Sequence, residues 1–394
     1  MKLGIVRREG RRLTGVMRFF FLLLLVLRLN AAPPGVVIDY SPAASGLYIG
    51  SPSIVILPDG AYLASHDFFG PKSEEHVAAT SVVFRSEDRG QSWSKVATLK
   101  PLFWAGLFVH RGAVYIMGTE KHHGRIVIRR SADGGKTWTE AADAKSGVLT
   151  EREEYHTAPT PVIEHRGRLW RGFEDASGGS KWGMRYLAMM LSVPVDADLL
   201  DASNWTFSET VPRNPAWLDG EFNAWLEGNA VVAPDQQIVN ILRVDVKRFP
   251  EKAAILSVAE DGGKQSFEPE RDIIDFPGGA KKFTIRFDPE TKAYWSLATA
   301  VPEAQETSEK PSRIRNTLVL LKSVNLREWE IRATLLSHPD SKAHAFQYPD
   351  WQFDGPDLIA AIRTAFDDGR GGAHNAHDAN YLTFHRFANF RTMR

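Results

Sequence analysis

The sequence predicts an all-β chain folded as a six-bladed β-propeller of four-stranded antiparallel blades, and three observations carry that prediction. A two-strand phrase of apolar strand, tight polar turn and apolar strand recurs six times, with starts roughly 50 to 70 residues apart, the length of one blade. Strand-like runs fill the intervals, and no amphipathic pattern persists for three helical turns. The β-rich stretch from Val37 to Tyr40 is placed to supply the outer strand of the last blade, which closes a ring and makes residues 33–394 one domain.

The phrases run in chain order. Ser53 to Ser65 folds back at Pro58-Asp59-Gly60, Leu107 to Gly118 at Arg111-Gly112, and Thr160 to Phe173 at Arg166-Gly167. Ala230 to Val244 turns at Pro234-Asp235, Phe283 to Thr299 at Asp288-Pro289, and Trp351 to Thr364 at Asp354-Gly355. Third strands are expected at Ser81 to Arg85, Arg125 to Arg129, Arg185 to Leu191, Ala253 to Val258, Thr317 to Lys322 and Tyr381 to His385. One such sheet buries too little by itself; six set radially cover one another's faces and leave only short edges.

Composition narrows the function classes. Lys plus Arg and Asp plus Glu stand at 48 each, and no basic stripe with interleaved aromatics is present, so nucleic acid is not an expected partner. Arg7, Arg8, Arg11, Arg12 and Arg18 precede the apolar run Phe19 to Leu27, which is followed by Ala31 and Ala32. Residues 1–32 therefore read as a signal peptide, with Met17 as a compact alternative start, and the run is too short to span a bilayer. The chain has no cysteine, so export without disulfides is expected, to a bacterial periplasm or exterior, with no membrane span after signal removal.

Two octets stand out, Ser86-Glu87-Asp88-Arg89-Gly90-Gln91-Ser92-Trp93 and Ser131-Ala132-Asp133-Gly134-Gly135-Lys136-Thr137-Trp138. Each follows a third-strand run, and their order suits a hairpin in which Asp holds turn amides, Gly takes positive φ and Trp packs beneath. Degenerate relatives occur from Glu260 to Phe267 and from Ser323 to Trp329. On these motifs the chain resembles the sialidase-like, BNR or Asp-box repeat propellers over essentially all of it after the signal. The resemblance implies a secreted exo-glycoside hydrolase cleaving a terminal bond to an acidic sugar, with three arginines on the substrate carboxylate, a Tyr/Glu nucleophile pair and an Asp acid. The sequence departs from the family where Gly50-Ser51-Pro52-Ser53 replaces its opening Arg-Ile-Pro. Two alternatives stay open: a propeller polysaccharide lyase acting next to a uronic acid, and a non-catalytic glycan-binding propeller.

In a propeller blade, loops leading into first strands and loops joining strands two and three open on one face. That face collects nearly every conspicuous polar cluster. His66 and Asp67 suit an acid or base with its orienting carboxylate, or a capping pair at a loop mouth. Tyr155 and His156 offer a phenol nucleophile or a proton-transfer pair, and Glu174 and Glu227 offer carboxyls for glycosidic chemistry. Glu174 is followed by Asp175, and neighbours on a strand face opposite ways, so only one of these two points inward. Arg243 and Arg363 suit an anionic group, with Asn229, Lys282 and Gln347 as further substrate contacts. His122, His123, Arg313, Arg315, Tyr348, Trp104 and Trp182 also fall at this mouth. The glycine-flanked loop from Gly371 to Asn380 adds His374 and His377; two histidines three apart are no recognised zinc spacing, so they are read as glycan contacts. No metal, no cofactor and no partner other than a glycan is expected, and the chain is expected to be a monomer.

Overall fold

The computed structural model describes residues 32–306 and 309–393, together with residues 1 and 4. The chain divides into residues 1–30 and 31–394. The signal-peptide reading lies, apart from residues 1, 4 and 32, outside the described residues.

Six small antiparallel sheets succeed one another along the second unit, so the predicted propeller is the observed fold. Blade one has an inner strand in two pieces, Tyr48–Ile49 and Ser53–Ile56, then Tyr62–Phe69, Ser81–Ser86 and Ser94–Leu99. Blade two is Phe103–His110, Ala113–Thr119 and Ile126–Ser131. Its fourth place is filled by a single bridge between Val127 and Val148, because residues 143–147 form a turn held by Asp143 and Ser146. Blade three comprises Tyr155–His156 with Ile163–His165, then Arg168–Asp175, Leu187–Pro194 and Thr206–Phe207. Blade four is Phe222–Val232, Ile238–Val246 and Lys252–Val258, edged by Gln265–Ser266 and Ile273–Asp275. Blade five runs Thr284–Asp288, Ala293–Thr299, Thr317–Ser323 and Glu330–Ser337. Blade six is Ala345–Asp354, Asp357–Ala365 and Tyr381–Phe387, and its outer strand is Val36–Tyr40 from the other end of the chain. Among the described residues the α-helix is limited to Pro269–Asp272.

The core lies between blades. Phe108 and Tyr115 of blade two pack with Leu169 and Phe173 of blade three, and Ile54 and Phe84 of blade one pack with Ile359 and Phe384 of blade six. Buried polar staples fix the seams: Asp350 of blade six accepts from the Ser53 hydroxyl at 2.8 Å and the Ile54 amide at 2.9 Å of blade one. Such fully satisfied polar links fix how two blades meet more sharply than apolar contact alone.

The two octets fold alike. Asp88 accepts from the Ser92 amide and hydroxyl at 2.9 and 2.6 Å, and Asp133 from those of Thr137 at 2.9 and 2.7 Å. Gly90 and Gly135 sit at φ of 91° and 88°, where a Cβ is strained, and each donates its amide to the opening serine hydroxyl. Trp93 and Trp138 close the turns by donating Nε1–H to the same glycine carbonyls. All of this lies at the ends of the third strands, opposite the loops that surround the axis.

Candidate active site

At the mouth of the ring a cavity of about 280 Å³ takes side chains from all six blades. Three of them arrive by the same device. The inner strands of blades two, four and six each slip register against their second strands, between Phe103 and Gly106, Leu226 and Asn229, and Gln347 and Asp350. At each slip one non-glycine residue adopts positive φ: Trp104 at 49°, Glu227 at 62° and Tyr348 at 54°. A bulge turns a side chain that strand alternation would send elsewhere, and such backbone cost persists where the surroundings hold it.

Glu227 and Tyr348 meet across the axis. The Tyr348 hydroxyl donates to Glu227 Oε1 at 3.0 Å, and Arg243 Nη1 donates to Glu227 Oε2 at 2.9 Å. Burial acts to raise the Glu227 pKa, but the Arg243 charge and the hydrogen bonds from Arg243 and Tyr348 outweigh it and leave the group below the usual glutamate range. Glu227 is therefore an ionised carboxylate poised on a phenol. Two further guanidinium groups flank that phenol, Arg363 with Cζ 5.0 Å and Arg315 with Cζ 5.8 Å from the ring centre. Arg315 is aimed by Gln347, whose Oε1 accepts from it at 2.7 Å; Arg363 donates to the His377 carbonyl. Burial, with repulsion from Arg243 and Arg363, holds Arg315 down to about 10. The Nε atoms of Arg243 and Arg363 are buried without a hydrogen-bond partner.

Asp67 faces this group from blade one. Its oxygens accept the amides of Ser51 at 2.7 Å and Trp104 at 2.6 Å, and burial nevertheless pushes its pKa up to about 6. Its carboxylate occupies the space beside Gly50: a Cβ built there would lie 1.6 Å from Asp67 Oδ1. The volume beside Gly50 is thus filled by an acid. His156 lines the wall between Trp104 and Tyr186, whose rings lie 4.2 and 4.6 Å from it. Its Nδ1 meets Glu174 Oε2 at 2.7 Å, and Glu174 Oε1 accepts the Gly228 amide at 3.1 Å. Burial favours the uncharged forms of both partners, raising Glu174 and lowering His156. The pair is a carboxylic acid against a neutral imidazole, with the other ring nitrogen left for the cavity.

No known family description and no curated protein matches this sequence. Solved structures do match. A Penicillium chrysogenum α-L-arabinanase, solved with arabinobiose, aligns with TM-score 0.55 at 13% identity over 91% of this chain and 99% of its own. A Hadza microbial sialidase aligns with TM-score 0.60 at 13% identity, covering 91% and 69%. A leech intramolecular trans-sialidase aligns with TM-score 0.56 at 11% identity, covering 91% and 70%. The chain has the fold of these propeller glycosidases.

Within that propeller, Asp67, His156, Glu227, Arg243, Arg363 and His377 all line the one cavity. Glu174 and Gln347 stand directly behind it, aiming His156 and Arg315. Lys282 is buried beneath, donating to Thr284 Oγ1 and the Pro349 carbonyl, and Asn229 staples blade four to the Ile285 amide of blade five; neither reaches the cavity. His374 lies at the rim, stacked on Tyr48. His66 and Tyr155 are not brought to the cavity. His66 points away from its neighbour Asp67, bonded to Asp39 Oδ2 at 2.8 Å and stacked on Phe84. Tyr155 turns into the core shared by blades two and three, while His156 takes the inward side. Tyr348 and Arg315, named at the mouth but given no role from sequence, occupy the centre. The sign available for Tyr348 was its place in the segment leading into the last inner strand, between Gln347 and Pro349.

Proposed function

We propose that the chain is a retaining exo-glycoside hydrolase acting on a terminal sugar that carries a carboxylate, with Tyr348 as nucleophile. The observation that carries this reading is the Tyr348 phenol hydrogen-bonded to ionised Glu227 between three guanidinium groups. A carboxylate nucleophile would be repelled by an anionic sugar; a phenol whose proton passes to the carboxylate behind it as the bond forms carries no net charge before or after attack. This is the tyrosine exception to two-carboxylate glycosidase chemistry. In the first step Asp67, its pKa raised toward neutrality, protonates the leaving oxygen as Tyr348 Oη attacks the anomeric carbon and Glu227 takes the phenolic proton. In the second step Asp67 takes a proton from water, water attacks the same carbon, and Glu227 returns its proton to Tyr348. Arg243, Arg315 and Arg363 hold the sugar carboxylate, and His156, Trp104 and Tyr186 form the wall against which the ring packs. The basic and apolar N-terminal run supports action outside the cytoplasm, and the chain is proposed to act as a monomer.

The test is a panel of aryl glycosides of sialic acid, uronic acids and arabinofuranose, with products followed by mass and by NMR of the first-formed anomer. Hydrolysis of an acid sugar with retention, and a fluorosugar adduct mapped to Tyr348, is expected. Products of unsaturated uronate would instead assign elimination. Turnover confined to the arabinofuranoside would remove the anionic substrate, and binding without turnover of any member would leave a lectin-like propeller.

A further inference from the structure

A second cluster stands at the edge of the same cavity. Glu75 and His76 belong to the loop joining strands two and three of blade one, and His122 to the corresponding loop of blade two. The two loops are pinned together by backbone: the His122 amide donates to the Glu75 carbonyl at 2.6 Å, and the Ala79 amide to the Glu120 carbonyl at 3.1 Å. The side chains then converge. His76 Nε2 lies 3.2 Å and His122 Nδ1 3.6 Å from the same oxygen, Glu75 Oε1, and one donor atom from each of the three residues lies within 4.8 Å of the other two.

We propose that Glu75, His76 and His122 bind one divalent first-row transition metal ion of the zinc class. An ion pair accounts for one imidazole beside a carboxylate, but here two imidazoles approach one oxygen, and His122 Nδ1 is buried with no hydrogen-bond partner. A metal ion satisfies that nitrogen. Ligands about 2.1 Å from a tetrahedral or octahedral ion lie roughly 3.0 to 3.5 Å apart; the His76–Glu75 separation of 3.2 Å falls in that range and the His122–Glu75 separation of 3.6 Å lies just beyond it. Glu75 is prepared as a one-oxygen ligand, since its Oε2 accepts the Gly70 amide at 3.1 Å. Such fixing of a ligand by its outer partner is general in metal sites. Two imidazoles and one carboxylate select a borderline ion over magnesium or calcium, and three protein ligands leave at least one position open. Glu75 and His122 line the cavity whereas His76 is exposed, so the open side faces the cavity and the ion would meet a hydroxyl or carboxylate of whatever sugar lies there. The ion is proposed independently of which bond the cavity cuts.

The experiment uses the whole chain, stripped with a chelator and dialysed, then titrated with zinc chloride by calorimetry and with cobalt(II) by visible absorption. One ion per chain is expected, with a cobalt spectrum of nitrogen and oxygen ligands. His76→Ala, on an exposed side chain that folding does not need, should weaken zinc binding by about 10- to 100-fold or more, as should His122→Ala and Glu75→Gln. The double variant His374→Ala, His377→Ala should leave binding unchanged. Absence of saturable zinc binding in the unaltered chain, binding indifferent to His76→Ala and His122→Ala, or loss of binding in the His374/His377 variant would each overturn the site.

Discussion

The two ends of the blades use the same kind of residue in opposite ways. At the turns between third and outer strands, Asp88 and Asp133 are held down to about 2, first by the hydroxyls of Ser92 and Thr137 and then by the amides of the same residues. Their partners lie within four residues, and both stay in water. At the mouth, burial drives Asp67 up to about 6 and raises Glu174, while Glu227, equally buried, is kept ionised by Arg243 and by a tyrosine 121 residues away. An acid bonded to its own turn builds a hairpin; an acid whose partners come from distant blades acquires a tuned proton affinity.

The sharpest way to break that contrast is at the mouth. Tyr348→Phe removes one hydroxyl and should lower kcat on the order of 10³-fold or more with melting temperature unchanged, read by steady-state rates and calorimetry. A variant that keeps its rate would transfer the nucleophile elsewhere. Arg363→Met should raise KM for an acid sugar roughly 10²-fold and leave an uncharged analogue unaffected, because it deletes one of the three cations. The pH profile of kcat/KM comes next. Asp67 must be protonated, so activity falls as pH rises through about 6; Glu227 must be ionised, and its lowered pKa puts the acid limb below the usual glutamate range. Asp67→Asn should abolish the alkaline limb, with the smallest residual loss on substrates that have good leaving groups. The smallest effect belongs to the opposite end: Asp133→Asn should lower the melting temperature by a few degrees and leave kcat alone. A catalytic defect there would dissolve the distinction between the ends.

Legibility in the sequence divides along the same line. The hairpins at Pro58-Asp59-Gly60, Arg166-Gly167 and Asp354-Gly355, like the octets at Ser86 and Ser131, are written within a dozen residues, and the observed strands flank them. The closing strand near Val37 was legible because six phrases left one outer place empty. His66 with Asp67, and Tyr155 with His156, were read as pairs at the mouth, whereas only Asp67 and His156 face inward; which member does so depends on packing partners such as Asp39 and Phe84 that no local pattern names. Tyr348 and Glu227 lie deeper still. Each sits at a bulge with positive φ on a residue other than glycine, so the period-two rule fails at the very positions that face the axis. The Gly50-Ser51-Pro52-Ser53 segment was visible, but that Asp67 fills the space beside Gly50 is a fact of three dimensions.

The outer strand Val36–Tyr40 lies opposite Tyr381–Phe387, with Val36 facing Phe384. Made early in synthesis, it has no sheet to join until almost the whole chain has emerged, so ring closure depends on a pairing between distant ends of the chain. Afterwards the same pairing works as a latch: the first blade cannot swing from the sixth until a strand from the far end of the chain is peeled off. Slow opening of that kind protects a molecule by its unfolding rate rather than by its equilibrium stability.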